Sequence, residues 1–172
     1  MTENKINNEA VKNYFTKLQT DILNAVEIVD GKNFLVDSWQ RSEGGGGTTC
    51  ILENGNIFER AGIGFSNVIG SQLPKSATDA HPEIADSQWE ATGVSLVFHP
   101  KNPFIPTVHM NVRFFVAKKN NKYVWWFGGG MDLTPYYGFD EDAIHFHKTI
   151  QAALKPFGED LYPEFKKNCD KY

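Results

Sequence analysis

The chain is poor in cysteine and has no surplus of basic residues. Its 172 residues include two cysteines, Cys50 and Cys169, which lie far apart and form no C-x-x-C motif. This spacing argues against a disulfide framework or a structural zinc knot, so we expect a reducing, cytoplasmic environment. The net charge is −4, and no run of Lys or Arg indicates a nucleic-acid partner.

Long hydrophobic runs are absent as well. Nothing approaches about 18 consecutive apolar residues, so hydropathy predicts no membrane-spanning helix. The first ten residues, M-T-E-N-K-I-N-N-E-A, are polar and predict no secretory signal. No nucleophile elbow, P-loop or dinucleotide fingerprint occurs. The expected organisation is therefore a single globular domain over residues 1–172.

The hydrophobic pattern predicts one helix, then several strands, then two helices. Apolar residues at three- and four-residue steps indicate an amphipathic helix over residues 8–29. Alternation and turn signals predict strands at 34–39, 48–52, 57–63, 91–99, from 107, and at 123–127, the last ending at Gly128–Gly130. Two helices are predicted at 140–155 and from 161 to the end, and a long loop at 70–88. The predicted fold class is α+β with antiparallel strands.

One predicted strand separates polar from apolar side chains. In the stretch T-V-H-M-N-V-R-F-F, alternation places His109, Asn111 and Arg113 on one face of the strand. The preceding strand places Ser95 and His99 on one of its own faces, so all five can meet if the strands are neighbours. Histidine can move a proton near neutral pH, and arginine pairs bidentately with carboxylates. The alternative interpretation is a solvated sheet face.

A third histidine lies on a predicted helix. The helical period puts His147 on an apolar stripe, whereas His145 points elsewhere. If the stripe faces the body of the protein, His99, His109 and His147 can share one space and form an open metal site. The alternative for His147 is a core histidine whose hydrogen bonds are satisfied.

Two glycine runs interrupt the pattern. The run at 44–47 allows almost any backbone path and supplies no side chains, so a flexible linker is one interpretation of it. The run at 128–130 follows a predicted strand but lacks the spacing of a phosphate-binding loop.

Seven motifs follow one another in a fixed order over essentially the whole chain. They are D-S-W-Q-R at 37–41, G-G-G-G at 44–47, F-E-R-A-G at 58–62, G-V-S-L-V-F-H-P at 93–100, H-M-N-V-R-F-F at 109–115, W-W-F-G-G-G-M-D-L-T-P-Y-Y-G at 125–138 and D-A-I-H-F-H at 142–147. In this order they closely resemble the oxygen-dependent coproporphyrinogen-III oxidases. The resemblance implies a flat antiparallel β-sheet flanked by helices, in a cytoplasmic homodimer.

The resemblance also implies a reaction. Members of that family use molecular oxygen to decarboxylate two propionates of coproporphyrinogen III, on rings A and B, to vinyl groups. The product is protoporphyrinogen IX, an intermediate of heme biosynthesis. No organic cofactor is needed, and some members are described with a divalent metal. A porphyrin-binding fragment without turnover is one alternative function, and a metal-dependent hydrolase or oxygenase unrelated to porphyrins is another.

The resemblance assigns roles to individual residues. Those that match substrate-binding residues of the family are Ser95, Asn111, Val112 and Arg113. Those that match histidines assigned to the metal are His99, His109 and His147. His109 also matches the proposed catalytic proton donor, and Arg113 is expected to pair with a propionate.

The resemblance predicts a longer polypeptide than these 172 residues. Members of the family continue well beyond the position of Tyr172, where they carry a fourth metal-assigned histidine, a dimer segment and a further substrate-binding stretch. A catalytic aspartate is expected there too, so no base is assigned within this chain. We therefore expect the chain to be about the N-terminal half of such an enzyme, and to be inactive or nearly so on its own.

Overall fold

A six-stranded antiparallel sheet and three α-helices form the described part of the chain, which comprises residues 6–71, 73, 84, 87–119 and 122–171 of a computed structural model. The helices are α1 (Asn8–Asp30), α2 (Asp140–Leu154) and α3 (Leu161–Cys169), and a 3-10 turn at Lys155–Phe157 joins the last two. The strands are β1 (Leu35–Gln40), β2 (Gly45–Glu53), β3 (Phe58–Gly70), β4 (Gln88–Pro100), β5 (Thr107–Lys119) and β6 (Lys122–Thr134). The predicted α+β class, with an antiparallel sheet flanked by helices, is confirmed.

The six strands pair in chain order, each antiparallel to the next. The predicted Asn-Gly signal lies between β2 and β3, where Asn54 adopts a left-handed φ of 53° that asparagine tolerates better than most residues. Of the loop predicted at 70–88, residues 72, 74–83 and 85–86 lie outside the described part. Within that part, no helix is long and apolar enough to cross a membrane.

Both glycine runs belong largely to strands, which corrects two predictions. Gly45–Gly47 form the start of β2, so the linker interpretation of this run is wrong. β6 does not end at Gly128–Gly130 but continues through them to Thr134. Close backbone pairing explains the residue choice, because a Cβ at Gly47 would lie 2.3 Å from the Phe65 carbonyl oxygen.

The larger hydrophobic core of the described residues lies between α1 and one face of the sheet. Its buried members include Phe15, Cys50, Leu52, Ala61, Ile63, Phe65, Val94, Phe114 and Val116. The helix is also tied to the sheet by buried Gln19, whose Nε2 donates to the carbonyl oxygens of Thr48 at 2.9 Å and Ile63 at 3.0 Å. The apolar face predicted for β5 therefore lies against α1, and its polar face points to the opposite side of the sheet.

The C-terminal end of α1 is fixed by a buried carboxylate. Asp30 is 3% exposed and accepts the backbone N–H groups of Asn56, Ile57 and Phe58 at 2.8, 2.9 and 3.0 Å. A Cβ at Gly55 would lie 2.4 Å from one of its oxygens, so only glycine fits beside it. The carboxylate thus holds α1 against the turn between β2 and β3.

The two C-terminal helices pack mainly on each other and on the turn between them. No residue of α2 is buried, and Ile144, predicted on its inward stripe, is 51% exposed. His147, Ile150 and Leu154 are half-buried. The stripe is therefore only partly covered, because the main packing partners of α2 are its neighbours in the chain rather than the sheet.

Candidate functional site

The sheet face opposite α1 carries the polar side chains of β4 and β5. The register pairs Ser95 with Asn111 and Val97 with His109, and Arg113 follows two residues after Asn111. Because directly paired residues share a face, Ser95, His109, Asn111 and Arg113 lie on one surface. This is the arrangement that the alternation of the two strands predicts.

A cavity of about 770 Å³ lies over this surface. Its walls include Ser95, His109 and Arg113, and its floor on β6 includes Gly128 and Gly130. An added Cβ at either glycine would meet nothing within 4 Å. The chain itself therefore does not require glycine there for steric reasons, and a large ligand can approach the β6 backbone closely.

His109 is held by a carboxylate on the neighbouring strand. Its Nδ1 lies 2.7 Å from Oδ1 of Asp132, which is its cross-strand partner on β6. The same oxygen accepts the hydroxyl of Thr134 at 3.0 Å. Because a carboxylate only accepts, Nδ1 is the donor, and Nε2 remains for contact with a ligand. The pair fixes both the tautomer and the orientation of the ring.

The sequence does not predict Asp132 as a site residue, because local strand signals end β6 at Gly128–Gly130. Its signal is the alternation that continues beyond them in M-D-L-T, which keeps Asp132 and Thr134 on the face of Gly128 and Gly130. The continuation of β6 is thus what brings a second ionisable group to His109.

His99 lies beside His109 at the end of β4. The two ring centroids are 6.2 Å apart and the rings are nearly perpendicular, at 85°. Nδ1 of His99 lies 3.3 Å from the hydroxyl oxygen of Thr107, the first residue of β5. The structure therefore brings two of the three predicted histidines together.

The described ring contacts of His147 are with residues other than His99 and His109. Its ring contacts Phe146 and Tyr162, at centroid distances of 5.5 and 6.3 Å, and its buried Nδ1 has no hydrogen-bond partner in the part of the chain that the structure describes. Residues 6–71, 73, 84, 87–119 and 122–171 contain no group of three or more His, Cys, Asp or Glu side chains placed to hold a metal ion. The described residues therefore do not provide a three-ligand set, and the metal roles of His99, His109 and His147 stay predictions.

The protein is thus an α+β domain in which one face of the sheet packs on a helix and the other carries histidine, carboxylate and guanidinium groups. The family model of coproporphyrinogen III oxidase matches residues 10–172. The chain therefore belongs to the coproporphyrinogen III oxidase family, a family of oxidoreductases, and this membership supports a role in heme biosynthesis with coproporphyrinogen III as the implied substrate.

Proposed function

We propose that the chain carries the substrate-binding and proton-transfer face of an enzyme that catalyses the oxygen-dependent oxidative decarboxylation of two propionates of coproporphyrinogen III, which gives protoporphyrinogen IX. The observation that carries the proposal is the shared face of β4, β5 and β6, where Arg113 lies on the same face of β5 as the His109–Asp132 pair, four residues farther along the strand. A propionate decarboxylation requires two functions from side chains: one side chain binds the carboxylate, and another transfers a proton.

Arg113 binds one propionate of the substrate in this proposal. It is exposed on the site face, and its planar guanidinium matches a carboxylate with two parallel hydrogen bonds. Ser95 and Asn111 are cross-strand partners beside it, and their hydroxyl and amide groups orient the macrocycle. The Val112 backbone lies in the same segment of β5, between the two polar side chains.

The chemistry consists of the same step on each of two propionates. The carboxylate leaves as CO₂, and the electrons of the broken C–C bond form the vinyl double bond. The carbon attached to the pyrrole loses a proton and two electrons, and molecular oxygen takes the two electrons together with two protons to give hydrogen peroxide. A deprotonated pyrrole is electron rich enough to react with oxygen directly, so no organic cofactor is required. His109, oriented by Asp132, moves protons through Nε2 at the reacting group.

Turnover of coproporphyrinogen III by this chain, in air and under nitrogen, tests the proposal. Two-vinyl product that forms in air and fails to form under nitrogen would support the proposed reaction, and would overturn the expectation that these residues alone are inactive or nearly so. Equal product in both conditions would contradict the oxygen dependence. Binding of the substrate with no product in air would instead support a porphyrin-binding protein without turnover.

Replacing Arg113 with alanine should raise KM by about 10- to 100-fold, because a charge-assisted hydrogen bond contributes about 1.5–3 kcal/mol. Arg113→Lys keeps the charge but loses the bidentate geometry, so its KM should fall between the two. Arg41→Ala is the matched control, since Arg41 pairs with Glu43 at 3.5 Å in the turn between β1 and β2. Steady-state kinetics with coproporphyrinogen III measures all three, and an unchanged KM for Arg113→Ala would remove this residue from the site.

A further inference from the structure

A second cavity lies on the same face of the sheet, farther from β6. Its volume is about 420 Å³, and its lining includes Trp39, Thr49, Ser66, Ser95 and Val97. Ser95 also lines the larger cavity over His109 and Arg113. A third cavity, lined by Ser66, Gly93 and Arg113 among others, shares lining residues with both, so the three form one trough across the sheet.

Trp39 and Arg113 lie at opposite ends of one cross-strand row. The register runs from Trp39 to Gly47, then to Ser66 and Gly93, and ends at Arg113. Only glycine and serine lie between the two large side chains, so the trough stays open along this row. Four strand spacings separate its ends, which is about 19 Å. A ligand bound to Arg113 needs an extended body to reach Trp39.

The indole of Trp39 lies against strand β2, which positions it through one hydrogen bond and one close contact. Its Nε1 donates to the hydroxyl oxygen of Thr49 at 3.2 Å. A Cβ at Gly47 would lie 2.5 Å from Cζ2 of the indole, so the ring lies directly on the β2 backbone. The side chain remains half-buried, which leaves part of the ring open to the trough.

We propose that Trp39 is a positioning residue that packs against the tetrapyrrole at the end remote from Arg113. The inference rests on the proposed function, because it takes the substrate to be a tetrapyrrole with a propionate on Arg113. Pyrrole rings are apolar and electron rich, and an indole offers them a rigid contact area at low entropic cost. Arg113 alone would also bind a smaller carboxylate. Contact with Trp39 therefore favours a four-ring substrate over such a ligand.

Anaerobic titration of the 172-residue chain with coproporphyrinogen III tests this inference, because exclusion of oxygen separates binding from turnover. Trp39→Leu should raise Kd about tenfold, which corresponds to about 1.4 kcal/mol. Thr49→Val keeps the indole and removes only its hydrogen-bond acceptor, so Kd should rise about threefold. The matched control is Trp125→Leu, because Trp125 is also partly exposed but pairs with Val116 on the α1 side of the sheet. Its Kd should stay within about 1.5-fold of the unchanged chain.

The outcomes separate the inference from the proposed function. If the unchanged chain fails to bind coproporphyrinogen III, the proposed function fails. If it binds, and Arg113→Ala weakens binding while folded Trp39→Leu does not, only the role of Trp39 is overturned. Circular dichroism establishes folding for each variant. If Trp39→Leu does not fold, the Kd of Thr49→Val decides, and an unchanged value overturns the inference.

Discussion

Replacing His109 with alanine should lower kcat for coproporphyrinogen III by about 10²- to 10⁴-fold, the range expected when a positioned acid–base group is lost. KM should change by less than about threefold, because the substrate contacts proposed for Arg113 and for the Ser95–Asn111 pair would remain. Single-turnover measurements in air would show the loss directly in the chemical step.

Two further variants test the reason for that loss. Asp132→Asn preserves the shape of the partner but removes the carboxylate that fixes the Nδ1 proton, so kcat should fall about 10- to 100-fold. His145→Ala is the matched histidine control, because His145 is exposed on α2 and its kcat should not change. A wild-type kcat for His109→Ala would exclude the proposed proton transfer. An unchanged kcat for Asp132→Asn would exclude a role for Asp132 in orienting the imidazole ring of His109.

Local alternation predicts the faces of β4 and β5 correctly because the side-chain period of a strand is independent of its neighbours. His109, Asn111 and Arg113 share a face for this reason, and Phe114 and Val116 lie in the core on the other. The same holds for α1, where apolar spacing predicts residues 8–29 and the helix spans Asn8–Asp30.

The extent of a strand depends on its neighbours, and this is where prediction from the sequence fails. Glycine lowers strand propensity, so local rules end β6 at Gly128–Gly130. In the sheet, these glycines pair with β5, and a Cβ at Gly129 would lie 2.4 Å from the carbonyl oxygen of Asn111. The tertiary pairing therefore both requires the glycine and extends the strand to Asp132. Because local rules end β6 too early, they also do not predict that Asp132 lies beside His109.

Helical periodicity has a comparable limit. It places His147 on the apolar stripe of α2, and that stripe exists, but the period does not say what covers it. In the structure, the described ring contacts of His147 are with Phe146 and Tyr162. The pattern thus predicts orientation within the helix, whereas docking against another element depends on tertiary contacts that no single segment encodes.

Replacing Asp30 with alanine should lower the free energy of unfolding by about 3 kcal/mol or more, because three backbone N–H groups would lose a charged acceptor, and a hydrogen bond to a charged group contributes about 1.5–3 kcal/mol. Those donors belong to Asn56, Ile57 and Phe58. Urea unfolding at pH 7, followed by circular dichroism, measures the change. Asp21→Ala is the matched control, since Asp21 is an exposed residue of the same helix that pairs with Lys17, and it should cost less than about 1 kcal/mol.

The same carboxylate should give stability a defined dependence on pH. Burial raises the pKa of Asp30, but the backbone hydrogen bonds from Phe58, Asn56 and Ile57 outweigh it, with a smaller contribution from Lys101, so the pKa lies below its ordinary value. A carboxyl whose pKa is lower in the folded than in the unfolded state stabilises the fold fully above the unfolded pKa of about 4. That contribution is lost as the pH falls through the folded pKa. The difference in unfolding free energy between the unchanged chain and Asp30→Asn should therefore be largest near pH 7 and shrink below about pH 4. A difference that stays constant from pH 7 to pH 3 would show that the charge of Asp30 contributes nothing, and that only its shape and acceptor geometry hold α1 to the sheet.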